Sequence, residues 1–186
     1  MARKTPDQGP AALRERCLQH LQALRIPITA AEFDTLLDEA EREGWPPLVF
    51  VDRLLGEQAA RRRERATERR INAARFPERR SLETFDWNFN ARFIDRVQIE
   101  QLATGDFVRR RRNLILIGQS GVGKSHLGQA LGLRLCALGY RVLYTTSAEM
   151  IRNLGAAMAD RSLPERLRYY ANWDAVLIDE FGFDRI

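Results

Sequence analysis

Apolar residues recur along this chain with two different periods, and the change from one to the other divides it. Leu13, Cys17, Leu21 and Leu24 follow steps of three and four, which gather them on one face of a helix that must stop before Pro27. A second helix follows at once. Residues 29–32 read TAAE, the form of a capping box, Phe33, Leu36, Leu37 and Ala40 make its apolar stripe, and Gly44 with Pro46 and Pro47 ends it. A third periodic stretch, with Leu48, Val51, Leu54 and Leu55, runs into RRRERATERRINAAR. Apolar residues thin out there, so this helix is expected to leave its own module and become a connection.

From residue 76 the pattern breaks. FPERRSLETFDWNFN carries Pro77 together with Phe76, Phe85, Trp87 and Phe89, and Phe93 follows closely. So many large rings do not suit a free linker and are expected to pack on the next domain. Asn90 is placed to cap a helix bearing Phe93, Ile94, Val97 and Leu102, which Gly105 interrupts. Beyond it, short apolar runs alternate with helical patterns. The expected order is a strand at 113–117, a helix to about Leu138 closed by Gly139, a strand at 141–145, helices within 148–172 and a strand at 175–179. That alternation predicts an α/β domain built on a parallel sheet. The chain thus reads as a helical module over residues 1–57, a basic helical linker with its aromatic segment over 58–90, and an α/β domain over 91–186.

Charge sharpens this division. Of the 30 basic residues, fifteen lie between 61 and 112 beside eight acidic ones, whereas the flanking parts are close to neutral. A basic belt of this kind suits a polyanion, nucleic acid first, and is equally the composition of a solvated, salt-bridged helix. No run approaches eighteen apolar residues, and the start MARKTPDQGPAALRER lacks the apolar stretch of a secretory signal. An intracellular, cytoplasmic protein without a membrane partner is therefore expected. Cys17 and Cys136 both occupy apolar helical positions and read as buried thiols. With only His20 and His126 besides, no set of soft metal ligands has the required spacing.

Chemistry concentrates in GQSGVGKS, residues 118–125, which matches G-x-x-x-x-G-K-[ST] between a predicted strand and a predicted helix. Gly118, Gly121 and Gly123 allow sharp turns that bring the N–H groups of the loop, including those of Gln119, Ser120 and Val122, toward a polyphosphate. The following helix adds the positive end of its dipole. Lys124 is one of two lysines in a chain that otherwise uses arginine. A compact ammonium reaches between β- and γ-phosphate oxygens where a broad guanidinium does not fit. Ser125 offers its hydroxyl to Mg²⁺. The second half of the site is DAVLIDE, where Asp179 emerges at the carboxyl end of a strand to hold Mg²⁺ through water, and Glu180 is placed to polarise an attacking water. ATP and Mg²⁺ are the expected cofactors.

Seven other positions have lesser claims. His126 could contact a phosphate, although helix packing is favoured; Thr145, Thr146 and Ser147 read as the cap of the next helix. Arg161, Arg166 and Arg168 could grip DNA, although a solvated helix face is favoured.

ARFPERRSLETFDWNF, LILIGQSGVGKSHLGQALG, GYRVLYTTSAEMI and AVLIDEFGF, in this order, resemble the IstB-type transposition helper ATPases, relatives of the DnaC-type helicase loaders within the AAA+ class. The resemblance implies a P-loop NTPase fold behind a small all-α module. It also implies ATP binding, oligomers on duplex DNA, and cooperation with the transposase of the same insertion sequence. Residues 118–125 would be the nucleotide loop, Lys124, Asp179 and Glu180 the catalytic set, and Ser125 with Asp179 the metal side. The LETFDW stretch would lie near the adenine, and the helical module would meet partners or neighbouring subunits.

Members of that family continue beyond FGFDRI into a polar sensor residue, an inter-subunit arginine and two further strands. One of these strands lies between the loop strand and the acid strand. The 186 residues are accordingly expected to be a C-terminally incomplete sheet, unstable or inactive alone, with ATP hydrolysis reserved for the full-length protein. A helicase loader that uses the same site as a switch, or a non-enzymatic fragment that binds DNA or a transposase, are the competing expectations.

Overall fold

The computed structural model describes residues 9–88 and 94–182. Its contacts divide the chain into two compact units, Met1–Glu64 and Arg65–Ile186. The boundary falls inside one continuous helix.

In the first unit, α1 spans Pro10–Ala23 and α2 spans Ala30–Glu43, and the long helix α3, Pro47–Ala74, begins here. Pro10 stands in the first turn of α1, where its missing N–H costs nothing. The capping box of α2 forms as its sequence predicts. Thr29 Oγ1 accepts from the Glu32 backbone N–H at 3.2 Å, and Glu32 Oε2 accepts from the Thr29 N–H at 2.8 Å. Gly44 closes the helix in the left-handed region at φ 64°. Leu21 and Phe33 are the buried apolar side chains, and Phe33 meets Phe50 edge-on at 6.4 Å. Arg61 ties α3 to α2 through Glu32 at 3.0 Å. Cys17 is only half-buried, whereas Cys136 is buried, and both thiols are free.

The second unit contains the rest of α3, then α4 (Arg96–Leu102), α5 (Asp106–Arg109), α6 (Lys124–Ala137), β1 (Val142–Thr146), α7 (Ser147–Ala159), α8 (Leu163–Ala171) and β2 (Ala175–Asp179). Strands β1 and β2 pair in parallel, with Val142 beside Ala175 and Thr146 beside Asp179. The α7–α8 pair makes the crossover between them, as a parallel connection requires. Gly139, at φ 102°, ends α6 and turns the chain into β1, with the Tyr140 N–H donating to Leu135 O at 3.0 Å. Two apolar clusters hold these elements together. Ala74, Leu135, Cys136 and Val142 form one, with Phe76 and Tyr140 against it; Phe85, Ile99, Leu127 and Leu131 form the other, with Leu82 and Trp87 against it. Phe76, Phe85 and Trp87 therefore pack into this unit, as the composition of their segment predicts, and Phe89 lies outside the described residues.

Two expectations change. Residues 113–117 alternate as a strand should, Leu114 and Leu116 packing on the second cluster while Ile115 and Ile117 are 76% and 89% exposed. Yet among the described residues no strand pairs with them, because the sheet consists of β1 and β2. Alternation reports which face is apolar, whereas a strand also needs a neighbour for its ladder. The helix after the aromatic segment starts at Arg96 rather than near residue 91, and its cap is Asp95, whose carboxylate accepts from the N–H groups of Val97 and Gln98. Asn90 and Phe93 lie outside the described residues.

Two predictions follow from packing and charge. A Cβ at Gly132 would lie 2.7 Å from Phe76 Cζ. Alanine there gains about 0.5–1 kcal/mol of helix propensity but overpacks a filled site at about 1–3 kcal/mol. Gly132→Ala should therefore lower stability by about 1 kcal/mol, and a urea midpoint equal to or above wild type would contradict this. In the first unit, the backbone N–H of Thr29, then Arg61, then the Thr29 hydroxyl lower the Glu32 carboxyl to about 2. A depressed carboxyl stabilises the fold above its unfolded value and ceases to do so as pH falls through the folded value. The helical circular dichroism of residues 1–64 within the whole chain should thus lose thermal stability between about pH 4.5 and 2. Thr29→Ala, which removes the hydroxyl donor, should flatten that dependence.

Candidate functional site

Residues 118–125 turn directly into α6. Gly121 and Gly123 take φ values of 81° and 98°, in the region that glycine alone enters freely. Gly123 is the N-cap of α6, and no side chain caps the helix, so its positive end faces the loop. Space around Gly123 is also limited, because a Cβ there would lie 2.9 Å from Phe85 Cε2. The ring of Phe85 thereby lies against the phosphate loop from the aromatic segment. Val122 packs beside Gly118, where an added Cβ would be 3.3 Å from its Cγ2. Ser120 stands exposed in the turn.

Lys124 is half-buried, and its ammonium donates to Gly118 O at 2.9 Å and Gln119 O at 2.7 Å. The loop bends around its own lysine, and the ion pairs formed by the described residues do not include it. An ammonium satisfied by two neutral carbonyls is available to an anion that enters the same bend.

The acid arrives from β2. Ser125 Oγ donates to Asp179 Oδ1 at 3.0 Å, joining two positions 54 residues apart. The Glu180 backbone N–H donates to the same oxygen at 2.9 Å. Asp179 Oδ2 accepts from the Tyr144 hydroxyl at 2.9 Å. Burial first, and then the bond to Asp179, push the Tyr144 phenol well above its ordinary value, so it remains a donor. Glu180 has φ 58°, a left-handed conformation unusual for a residue with a side chain, and its carbonyl accepts from Ser147 Oγ at 2.9 Å. The backbone at the strand end is thus held on both sides of Glu180.

The structure brings the predicted loop residues Gly118, Gln119, Ser120, Gly121, Val122, Gly123, Lys124 and Ser125 together with Asp179. Exposed Glu180 follows Asp179 at the mouth of the loop. His126 stays out of the phosphate bend. Its Nε2 is 3.0 Å from Ser81 O and its ring meets Phe85 edge-on at 5.1 Å, which is the packing role that its position favours. Among the three candidate cap residues, Thr146 is the one that caps α7, accepting from the Glu149 N–H at 3.2 Å. Tyr144 and Ser147 carry no motif that marks them as nucleotide-site residues, whereas Phe85 belongs to the LETFDW stretch that the resemblance sets near the adenine. Their roles depend on strand register and on a packed segment.

The donor set fits a magnesium nucleotide. A hydroxyl and a carboxylate converge beside an uncapped helix start and an ammonium, which supplies hard oxygen ligands on one side and anion donors on the other. Among the described residues no group of three His, Cys, Asp or Glu side chains gathers to hold a metal. A cation at Ser125 and Asp179 would take its remaining ligands from water and phosphate, the arrangement usual for Mg²⁺. Nor is any described helix long and apolar enough to cross a membrane.

Comparison with known proteins agrees with this geometry. The family model described as IstB-like ATP binding protein matches residues 19–186. The chain is 32% identical, over 88% of its length, to the protein named as the ATP-binding protein of insertion sequence IS21 in Pseudomonas aeruginosa, and covers 61% of that protein. It is 29% identical over 88% of its length to an insertion-sequence ATP-binding protein of Sinorhizobium fredii, covering 55% of it. A counterpart from insertion sequence IS5376 of Geobacillus stearothermophilus is 26% identical over 92% of this chain, which covers 68% of that relative. The chain therefore spans a little over half to two thirds of the length of these relatives. Because the match over residues 19–186 includes the phosphate loop and the acid strand alike, the chain belongs to the IstB-like ATP-binding proteins.

Proposed function

We propose that this chain is the ATP-binding part of an insertion-sequence helper protein that works with the transposase of the same element on duplex DNA. The observation that supports the reading is the 3.0 Å hydrogen bond from Ser125 to Asp179, a hydroxyl and an acid side by side next to the loop. The names of the relatives, each an ATP-binding protein of an insertion sequence, supply the biological setting.

In this reading the N–H groups of the loop and the start of α6 receive the phosphates. Lys124 exchanges its two carbonyl partners for phosphate oxygens, and Ser125 and Asp179 hold the cation directly and through water. When bound, Mg²⁺ would neutralise charge on the terminal phosphates. Glu180, the exposed acid next to Asp179, orients a water and accepts its proton in the full-length protein. Phe85 and Trp87, stacked edge-on at 5.0 Å beside Gly123, offer an apolar wall to a base. Full-length copies assemble as a homo-oligomer on the DNA.

The basic belt supports the DNA half of the reading. Arg79, Arg80, Arg96, Arg109 and Arg110 are engaged in ion pairs. Arg62, Arg63, Arg65 and Arg69 are exposed on α3, and the ion pairs formed by the described residues do not include them. Uncompensated guanidinium groups are the ones that phosphate contact recruits without breaking a salt bridge.

Lys124→Ala should weaken ATP binding roughly tenfold or more, the effect of losing a charge-assisted hydrogen bond of about 1.5–3 kcal/mol. Titration with a fluorescent ATP analogue measures it, and unchanged affinity would remove the loop from the site. Replacing Arg65 and Arg69 together by alanine should make the slope of log K for duplex DNA against log salt shallower by about 2, since each phosphate contact contributes about 0.9. An unchanged slope would remove these arginines from the interface. Equal affinity for single strands, with capture of a replicative helicase instead of the transposase, would turn the reading toward a helicase loader.

A further inference from the structure

The pairing register places one phenol where the motifs predict none. Tyr144 lies opposite Leu177, and Thr146 lies opposite Asp179. Side chains two apart on a strand share a face, so Tyr144 and Asp179 are diagonal neighbours on one side of the sheet. A tyrosine spans that diagonal. Its hydroxyl donates to Asp179 Oδ2 at 2.9 Å, while Oδ1 takes the bond from Ser125. The ring does not swing freely, because Phe76 packs against it with centroids 6.1 Å apart.

We propose that Tyr144 is the positioning residue of the metal-side acid: its hydroxyl holds Asp179 in the orientation that keeps Oδ1 turned toward Ser125. This rests on the proposed magnesium nucleotide site and names how that site is kept in order. A carboxylate has two torsions of its own, and a bond on the outer oxygen removes that freedom before the cation arrives. The choice of a phenol is chemically apt. An arginine in its place would neutralise the carboxylate that must attract a cation, whereas a neutral hydroxyl fixes its direction and leaves the charge intact.

The test uses the whole chain, a fluorescent N-methylanthraniloyl ATP and a MgCl₂ titration. Tyr144→Phe retains the ring and its contact with Phe76, so a folded variant is expected. The MgCl₂ concentration at half-maximal nucleotide binding should rise about tenfold, the low end of what losing an outer-shell partner costs. In an Asp179→Ala background the same change should have no further effect, because the phenol acts through that carboxylate. Tyr169→Phe, at a phenol that packs on Tyr170 and Trp173, should leave the titration as in wild type. Superimposable curves for wild type and Tyr144→Phe would overturn the inference alone. A full shift that persists without Asp179 would overturn it as well. Wild-type binding indifferent to Mg²⁺ would instead sink the magnesium reading on which it stands.

Discussion

The Asp179 carboxylate joins the elements of the site. Three donors reach it: the Ser125 hydroxyl from the start of α6, the Tyr144 hydroxyl from β1, and the Glu180 N–H from the chain just beyond β2. A local sequence pattern can make a glycine bend or end a strand in an acid, but only the packing of α6 across β1 and β2 puts the two within 3.0 Å. That packing depends on small residues. Gly132 lets Phe76 approach the helix, and Gly123 leaves room for Phe85 at its start. The same helix thus presents a close-packed surface to the sheet and to the aromatic segment.

What was legible in the sequence follows from how local each signal is. The capping box at Thr29, the turn at Gly139 and the bend at Gly121 and Gly123 involve residues within a few positions of one another, and each forms as its pattern implies. Parallel pairing of β1 and β2 was legible too, because a two-helix crossover leaves little choice of direction. Residues 113–117 show the opposite case. Their alternation is real, with Leu114 and Leu116 inward, but a ladder requires a second chain segment that no local pattern can announce. The helix that begins at Arg96 takes Asp95 as its cap, and Ile99, one turn in, packs into the second cluster.

The site divides along the same line. Loop and acid are recognisable because phosphate chemistry demands particular residue types at particular spacing. Tyr144 and Ser147 are ordinary residues of a strand and a helix start, and they acquire their roles from register and distance. Sequence reasoning could have found Tyr144 only by fixing the register first. Once Thr146 is opposite Asp179, the residue two positions earlier on the same face is determined.

Charge completes the argument, because this chain separates its two kinds of cation by task. Arginine supplies the surface: its fork pairs with Glu32 from Arg61, with Glu68 from Arg79 and with Asp174 from Arg141, and it covers Trp45 and Trp87 from Arg53 and Arg96. Those are planar, two-pronged or stacked contacts that an ammonium makes poorly. Inside the loop the demand reverses. Gly118 O and Gln119 O lie 2.9 and 2.7 Å from the Lys124 nitrogen, so the cation sits within a bend a few residues long. A guanidinium in that place would push apart the carbonyls that shape the bend. The one lysine among the described residues is therefore held to its position by the radius of the turn around it.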